Sequence, residues 1–215
     1  MQIYSDPITA NCRKVLAGMD FLDAPFERVH VDYFKAEQKE PAYTALNPNA
    51  SLPAMKDGDF VLWESNAILQ YVADKLGRDG AYPRELRTRA DINRWLLWES
   101  SSWFPSCYVF LVENCVKPLL GAAPDPAVLD AQSAQFHKLA GILDARLAGQ
   151  PWVTGDQPTI ADSALAAPRH RHAEQKLPLG DHPNLKRWMT EQVEALPCWH
   201  KTYVGPGFSL TRPAA

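Results

Sequence analysis

With 215 residues, a formal net charge of −3 and four cysteines, the chain is long enough for one or two domains with ample core and too weakly charged to favour a nucleic-acid partner. No apolar run is long enough to span a bilayer, and Met1-Gln2-Ile3-Tyr4-Ser5-Asp6 has neither the basic start nor the hydrophobic core of a signal segment. Cys12, Cys107, Cys115 and Cys198 show neither CxxC nor metal-ligand spacing, so reduced thiols, a cytoplasmic protein, no metal centre and no membrane partner are expected.

In chain order, residues 1–5 read as a first strand, and Cys12, Val15, Leu16 and Met19 mark one face of a helix. Asp23-Ala24-Pro25 then turns into a second strand from about Phe26 to Val31, completing a βαβ unit. A short polar helix near Ala36 to Leu46 leads to Leu52-Pro53. Proline at the head of a strand cannot donate to the ladder, which points to an edge position or a cis turn. A cis turn would leave the backbone of Leu52 exposed, and a peptide-like ligand can pair with it as an added strand. Asp57-Gly58 joins two further strands as a hairpin.

The next segment, Leu62-Trp63-Glu64-Ser65, runs into helical spacing with Ile68, Leu69, Val72 and Leu76 on one face and Gly77 as the stop. Ser65 therefore opens a helix, where unpaired backbone amides and the positive end of the dipole can hold a carboxylate. Glu64, one residue earlier, can take an ammonium. Carboxylate and ammonium on one carbon make an amino-acid head; an ordinary serine cap beside an acidic residue is the plainer alternative.

Residues Gly77 to Arg84 read as a linker, and from about Glu85 helix signals dominate. Asp125-Pro126 looks like a cap followed by proline at the first helical position, with Leu129, Phe136, Leu139, Leu143 and Leu147 as a buried stripe before Gly149. Thr159-x-x-Asp162 is a capping-box variant with a structural role. Pro183 opens a helix bearing Leu185, Trp188, Met189 and Val193, and Pro197 ends it. The alternation Arg169-His170-Arg171-His172 does not align on a helix and reads as a solvated face.

Three motifs in order, Asn47-Pro48-Asn49-x-x-Leu52-Pro53-Ala54, Glu64-Ser65-Asn66-Ala67-Ile68-Leu69-x-Tyr71 and Thr159-Ile160-Ala161-Asp162, resemble the glutathione transferase superfamily over essentially the whole chain. The resemblance implies an α/β thioredoxin-like N-terminal domain plus an all-α C-terminal domain, and a homodimer. Residues 1–78 would form the glutathione-binding domain, 79–87 the linker and 88–215 the helical domain. Glutathione becomes the co-substrate, its γ-glutamyl end on Glu64 and Ser65 and its peptide on Leu52-Pro53.

Such an enzyme must stabilise a thiolate, and lowering a thiol pKa by about two units takes roughly 2.7 kcal/mol. One charge-assisted hydrogen bond of about 1.5–3 kcal/mol is of that size. The resemblance puts the hydroxyl donor three positions before the Cys12-Arg13 pair, at Thr9, with Asn11 as second donor and Ser5 a weaker candidate. Cys12 shares the apolar face of its helix and reads as a core thiol. Where many members carry glycine or histidine and a polar residue before the proline, this chain has Ala50-Ser51, so the glycyl carboxylate would lean on Lys39 or Lys35.

The electrophile pocket is expected against the first C-terminal helix, among Trp95, Trp98, Glu99, Ser102, Trp103, Ser106 and Tyr108 with Ser102, Ser106 and Trp103 foremost, opened by a kink at Pro105. The resulting expectation is a transferase for small hydrophobic electrophiles. The alternatives are a disulfide reductase using two glutathiones, an isomerase of an unsaturated acid with Arg13 as the cation, and a non-catalytic binding or assembly module.

Overall fold

The computed structural model describes residues 1–204. The chain opens with β1 (Gln2–Ser5), α1 (Ala10–Phe21) and β2 (Glu27–His30), and β1 and β2 pair in parallel as the βαβ reading expects. The polar segment that follows is two pieces, a 3₁₀ turn at Glu37–Lys39 and α2 (Pro41–Thr44). Pro41 divides them because it has no N–H to continue a helix and is favoured at a helix start. The hairpin β3 (Ala54–Asp57) and β4 (Phe60–Trp63) then leads directly into α3 (Ser65–Lys75). Strand order is β2-β1-β3-β4, with both β3 pairings antiparallel.

The Leu52–Pro53 peptide is cis. An edge position is excluded, since β3 lies between β1 and β4. Ile3, Val15, Met19, Met55, Ile68, Leu69 and Val72 are buried between the sheet and the α1/α3 pair. Gly18 lets these helices approach, since a Cβ there would collide with the Leu69 side chain.

Beyond Glu85, whose side chain caps the next helix through the Arg87 and Thr88 amides, every regular element among the described residues is a helix apart from one isolated bridge, Trp152 with Gly155. Helices α4 (Leu86–Trp98), α5 (Phe104–Leu111) and α6 (Lys117–Leu119) form one run, joined by π-helical turns at Glu99–Trp103 and Val112–Val116. The long α7 (Pro126–Leu147) is capped by Asp125 and buries Phe136, Leu139, Leu143 and Leu147. The expected helix at Pro183 is present, burying Leu185, Trp188, Met189 and Val193. Pro197 does more than end it: it is the first residue of a further helix, Pro197–Lys201. No helix among the described residues is long and apolar enough to cross a membrane.

The capping box at α8 (Ile160–Leu165) is complete. The buried Asp162 carboxylate accepts from the backbone amides of Val153 and Thr159, both at 2.9 Å, and from the Thr159 hydroxyl at 3.2 Å. Asp162→Ala would strand two buried amides, so a loss of about 3 kcal/mol is expected, read as a lower denaturant midpoint at unchanged m-value.

Candidate glutathione site

The sheet register brings the site segments together. Ala54 pairs with both Tyr4 and Trp63, so the loop after β1, the residues before β3 and the junction of β4 with α3 all leave the same end of the sheet.

The first loop is built around buried Asp6, whose carboxylate accepts from the Ile8 and Tyr33 amides, both at 3.1 Å. Thr9 follows in extended conformation and caps α1: its hydroxyl accepts from the Cys12 amide at 3.4 Å and donates to the Asp6 carbonyl at 3.2 Å. Asn11 is the second residue of α1, its Oδ1 buried and without a partner among the described residues. Cys12 is fully buried in a small cluster with Val31, Tyr43, Leu52 and Ala54, and burial pushes its thiol up to about 12. That thiol is therefore a packing group and not a nucleophile.

The helical half holds the same loop from behind. His170 is fully buried and its Nε2 lies 2.6 Å from the Ile8 carbonyl; burial lowers its pKa to about 3, so the ring is neutral and donates from Nε2. Arg13, equally buried, donates to the carbonyls of His170 at 2.7 Å and Trp199 at 2.8 Å and stacks on the Trp199 ring.

Before β3, the Tyr43 hydroxyl and the Asn47 side-chain amide both donate to the Ser51 carbonyl, at 2.6 and 2.8 Å. They fix the turn through Ala50, which has a left-handed φ of 52°. The backbone N–H and C=O of Leu52 have no partner among the described residues.

At the third segment, Glu64 has φ 74° and ψ 112°, a conformation costing a non-glycine residue about 1–3 kcal/mol. Ser65 opens α3, and its hydroxyl accepts from Lys14 Nζ at 3.1 Å. Buried Lys14 also reaches Asn66 Oδ1 at 3.2 Å and buried Glu99 Oε1 at 2.8 Å. Asn66 completes the network by donating to Glu99 Oε2 and the Leu96 carbonyl, each at 2.9 Å. The start of α3 is thus tied to α1 and α4.

A cleft of about 340 Å³ lies between the two halves. Ile8, Thr9, Asn11, Lys39, Ser51 and Leu52 line it from the N-terminal half, and Phe104, Tyr108, Leu111, Val116, Leu119 and Arg171 from the helical half.

Residues 2–74 match the family model described as the glutathione S-transferase N-terminal domain, and residues 110–197 match that of the C-terminal domain. The chain is 33% identical over 206 residues to glutathione S-transferase 3 of Zea mays, covering 94% of this chain and 92% of the relative. The chain belongs to the glutathione S-transferase family. It is also 28% identical to glutathione S-transferase GstB of Escherichia coli K12, covering 86% and 89%. Among solved structures, the theta class glutathione S-transferase of the citrus canker pathogen Xanthomonas axonopodis pv. citri with glutathione bound superposes at a TM-score of 0.85, with 27% identity and 98% of each chain covered.

Within this transferase fold, Thr9, Asn11, Lys39 and Leu52 share the cleft, while Glu64 and Ser65 stand at the same end of the sheet without lining it. Pro53 is buried behind Leu52. Lys35 is exposed beside Asp32, and Ser5 is buried at the end of β1; neither lines the cleft.

Three pocket expectations need correction. Trp103 is fully buried, stacks on Trp98 and donates to the Leu165 carbonyl. Ser106 is buried and accepts from Gln132 Nε2 at 2.7 Å, and Ser102 pairs with Ser101. The wider π-turn at Glu99–Trp103 changes the helical phase, so the cleft receives Phe104, Tyr108, Leu111 and Cys115. That i, i+4, i+7, i+11 series was the available signal. The Arg169-to-His172 stretch is not a solvated face either, since His170 and Arg171 are buried.

Glu64→Gly removes both the strained φ and the carboxylate. The expected result is a melting temperature no lower than that of the native chain together with glutathione binding weakened about tenfold, by calorimetry.

Proposed function

We propose that the chain is a glutathione transferase that holds glutathione against Leu52, Glu64 and Ser65, leans its glycyl end on Lys39, and activates the thiol with Thr9 and Asn11. The observation that carries this reading is the position of Thr9 and Asn11 in one cleft with Leu52, opposite an apolar wall. Thr9 can turn its proton from the Asp6 carbonyl to a thiolate at little cost, because that carbonyl keeps the Thr9 amide at 3.1 Å. The same oxygen goes on capping Cys12. The Asn11 side-chain N–H would supply a second donor at the same helix end, where backbone amides also favour an anion. No general base is required.

The partner substrate is a small hydrophobic electrophile, suited to Phe104, Tyr108 and Leu111. A cytoplasmic setting fits the free, buried cysteines, and the family resemblance suggests a homodimer with a detoxifying role. The reading is tested by the ultraviolet thiolate band of glutathione mixed with saturating protein near neutral pH. A band, followed by conjugation of an aryl halide, supports it; its absence leaves a glutathione-binding module.

A further inference from the structure

We propose that Arg171 forms an anion-accepting end of the electrophile wall, so that the favoured electrophiles are apolar bodies carrying a carboxylate. The proposal rests on the transferase reading above and names the substrate class of the same cleft.

Among the residues lining the cleft there are two cations, Lys39 and Arg171, and no carboxylate. Lys39 comes from the N-terminal half with Leu52, whereas Arg171 comes from the helical half and lies against Cys115. Arg171 is only 6% exposed. A guanidinium sunk beside apolar groups is costly unless its donors are used, and those of Arg171 are used in part. One Nη donates to Glu174 Oε1 at 3.0 Å and the other to the Val204 carbonyl at a long 3.4 Å, the guanidinium also hydrogen-bonds the Cys115 thiol, and Nε is buried with no partner among the described residues. Unused donors on a planar fork match what a carboxylate requires.

The surroundings favour the same ligand. The π-turn Val112–Val116 brings Cys115 and Val116 into the cleft. At Cys115 the fields of Arg171 and Lys176 oppose that of Glu174, so two cations face one anion at this end. Burial pushes the Cys115 thiol up to about 11, which leaves it a small filler and not a competing nucleophile. Arg13, the cation expected from the sequence to serve an acidic substrate, is spent on the His170 and Trp199 carbonyls and does not line the cleft. Arg171 takes its place.

A nitroaryl chloride with a ring carboxylate illustrates the class. Its ring would lie on Phe104 and Tyr108, its carboxylate on Arg171 and its chlorinated carbon toward the thiolate. The C–S bond forms as the C–Cl bond breaks, and chloride carries away the electron pair.

The test is calorimetric binding of an unreactive nitrobenzoate and its methyl ester to the native protein saturated with glutathione. The expected result is a preference for the acid of about tenfold or more, as a contact to a charged group supplies. That preference should shrink with added salt, disappear in Arg171→Met and persist in part in Arg171→Lys. Equal affinities, no binding of either, or an unchanged preference in Arg171→Met would overturn the proposal. Turnover of the chlorinated methyl ester reports on the transferase reading separately, since it needs thiol activation and no anion site. If Arg171→Met fails to fold, Arg171→Lys and Lys39→Met decide together: a preference reduced in Arg171→Lys and kept in Lys39→Met supports the proposal, and one lost in Lys39→Met overturns it.

Discussion

Replacing Thr9 by valine should lower kcat/KM for conjugation near pH 7 about a hundredfold, because a donor able to shift the bound thiol by about two pKa units is lost while side-chain volume is kept. The pH dependence carries the sign. A native thiol held below the ordinary range of about 8.5 is ionised across neutral pH, whereas in Thr9→Val the rising limb of the rate moves up toward that value. The variant should therefore recover much of the deficit in alkaline buffer. Thr9→Ser keeps the donor and should keep most of the rate. The Thr9 hydroxyl also caps α1 at the Cys12 amide, so the valine variant should in addition lose about 1 kcal/mol of stability. A rate loss with no shift of the pH limb would show that Thr9 serves the fold and not the thiol.

The second large effect is expected at the buried pair of Lys14 and Glu99, 2.8 Å apart with both side chains almost wholly out of water. Glu99→Ala leaves a buried ammonium with only the Ser65 hydroxyl and the Asn66 carbonyl as acceptors. A loss of about 3–5 kcal/mol is expected, a large share of the stability of an ordinary domain. The double variant Lys14→Met with Glu99→Leu removes both charges and should recover most of that stability, as read from denaturant midpoints. Recovery of glutathione affinity should lag behind, because Ser65 and Asn66 at the head of α3 have lost the ammonium that positions them. If binding returns in step with stability, the network is scaffolding only.

Much of this was open to a reader of the chain alone. The periodicity of α1, the Asp57-Gly58 turn, the Asp125-Pro126 start and the Thr159/Asp162 box are local signals, set by capping and turn chemistry within a few residues. The motif at Leu52-Pro53 and the Glu64-Ser65 junction were local in the same way. What stayed hidden depends on contacts distant in sequence or on helical phase. His170 and Arg171 look like surface charge until the helical half folds over the loop at Ile8, a separation of 162 residues. The expected pocket residues Ser102, Trp103 and Ser106 fall outside the cleft because the π-turn at Glu99–Trp103 shifts the phase of a run that hydrophobic spacing treats as regular. Arg13 likewise looked available because nothing near it reveals the carbonyls at 170 and 199 that consume it.

The bond from His170 to the Ile8 carbonyl, with Arg13 reaching back to the opposite half, also bears on how such chains can be recombined. The loop proposed to activate the thiol is carried by one half and held by hydrogen bonds from the other. A chimera that grafts these helices for those of a relative inherits a competent loop only if the graft brings an imidazole to the Ile8 carbonyl and free carbonyls to the guanidinium. The two halves exchange as a matched set, and new electrophile preferences are more safely sought by changing residues along the cleft wall than by swapping the wall itself.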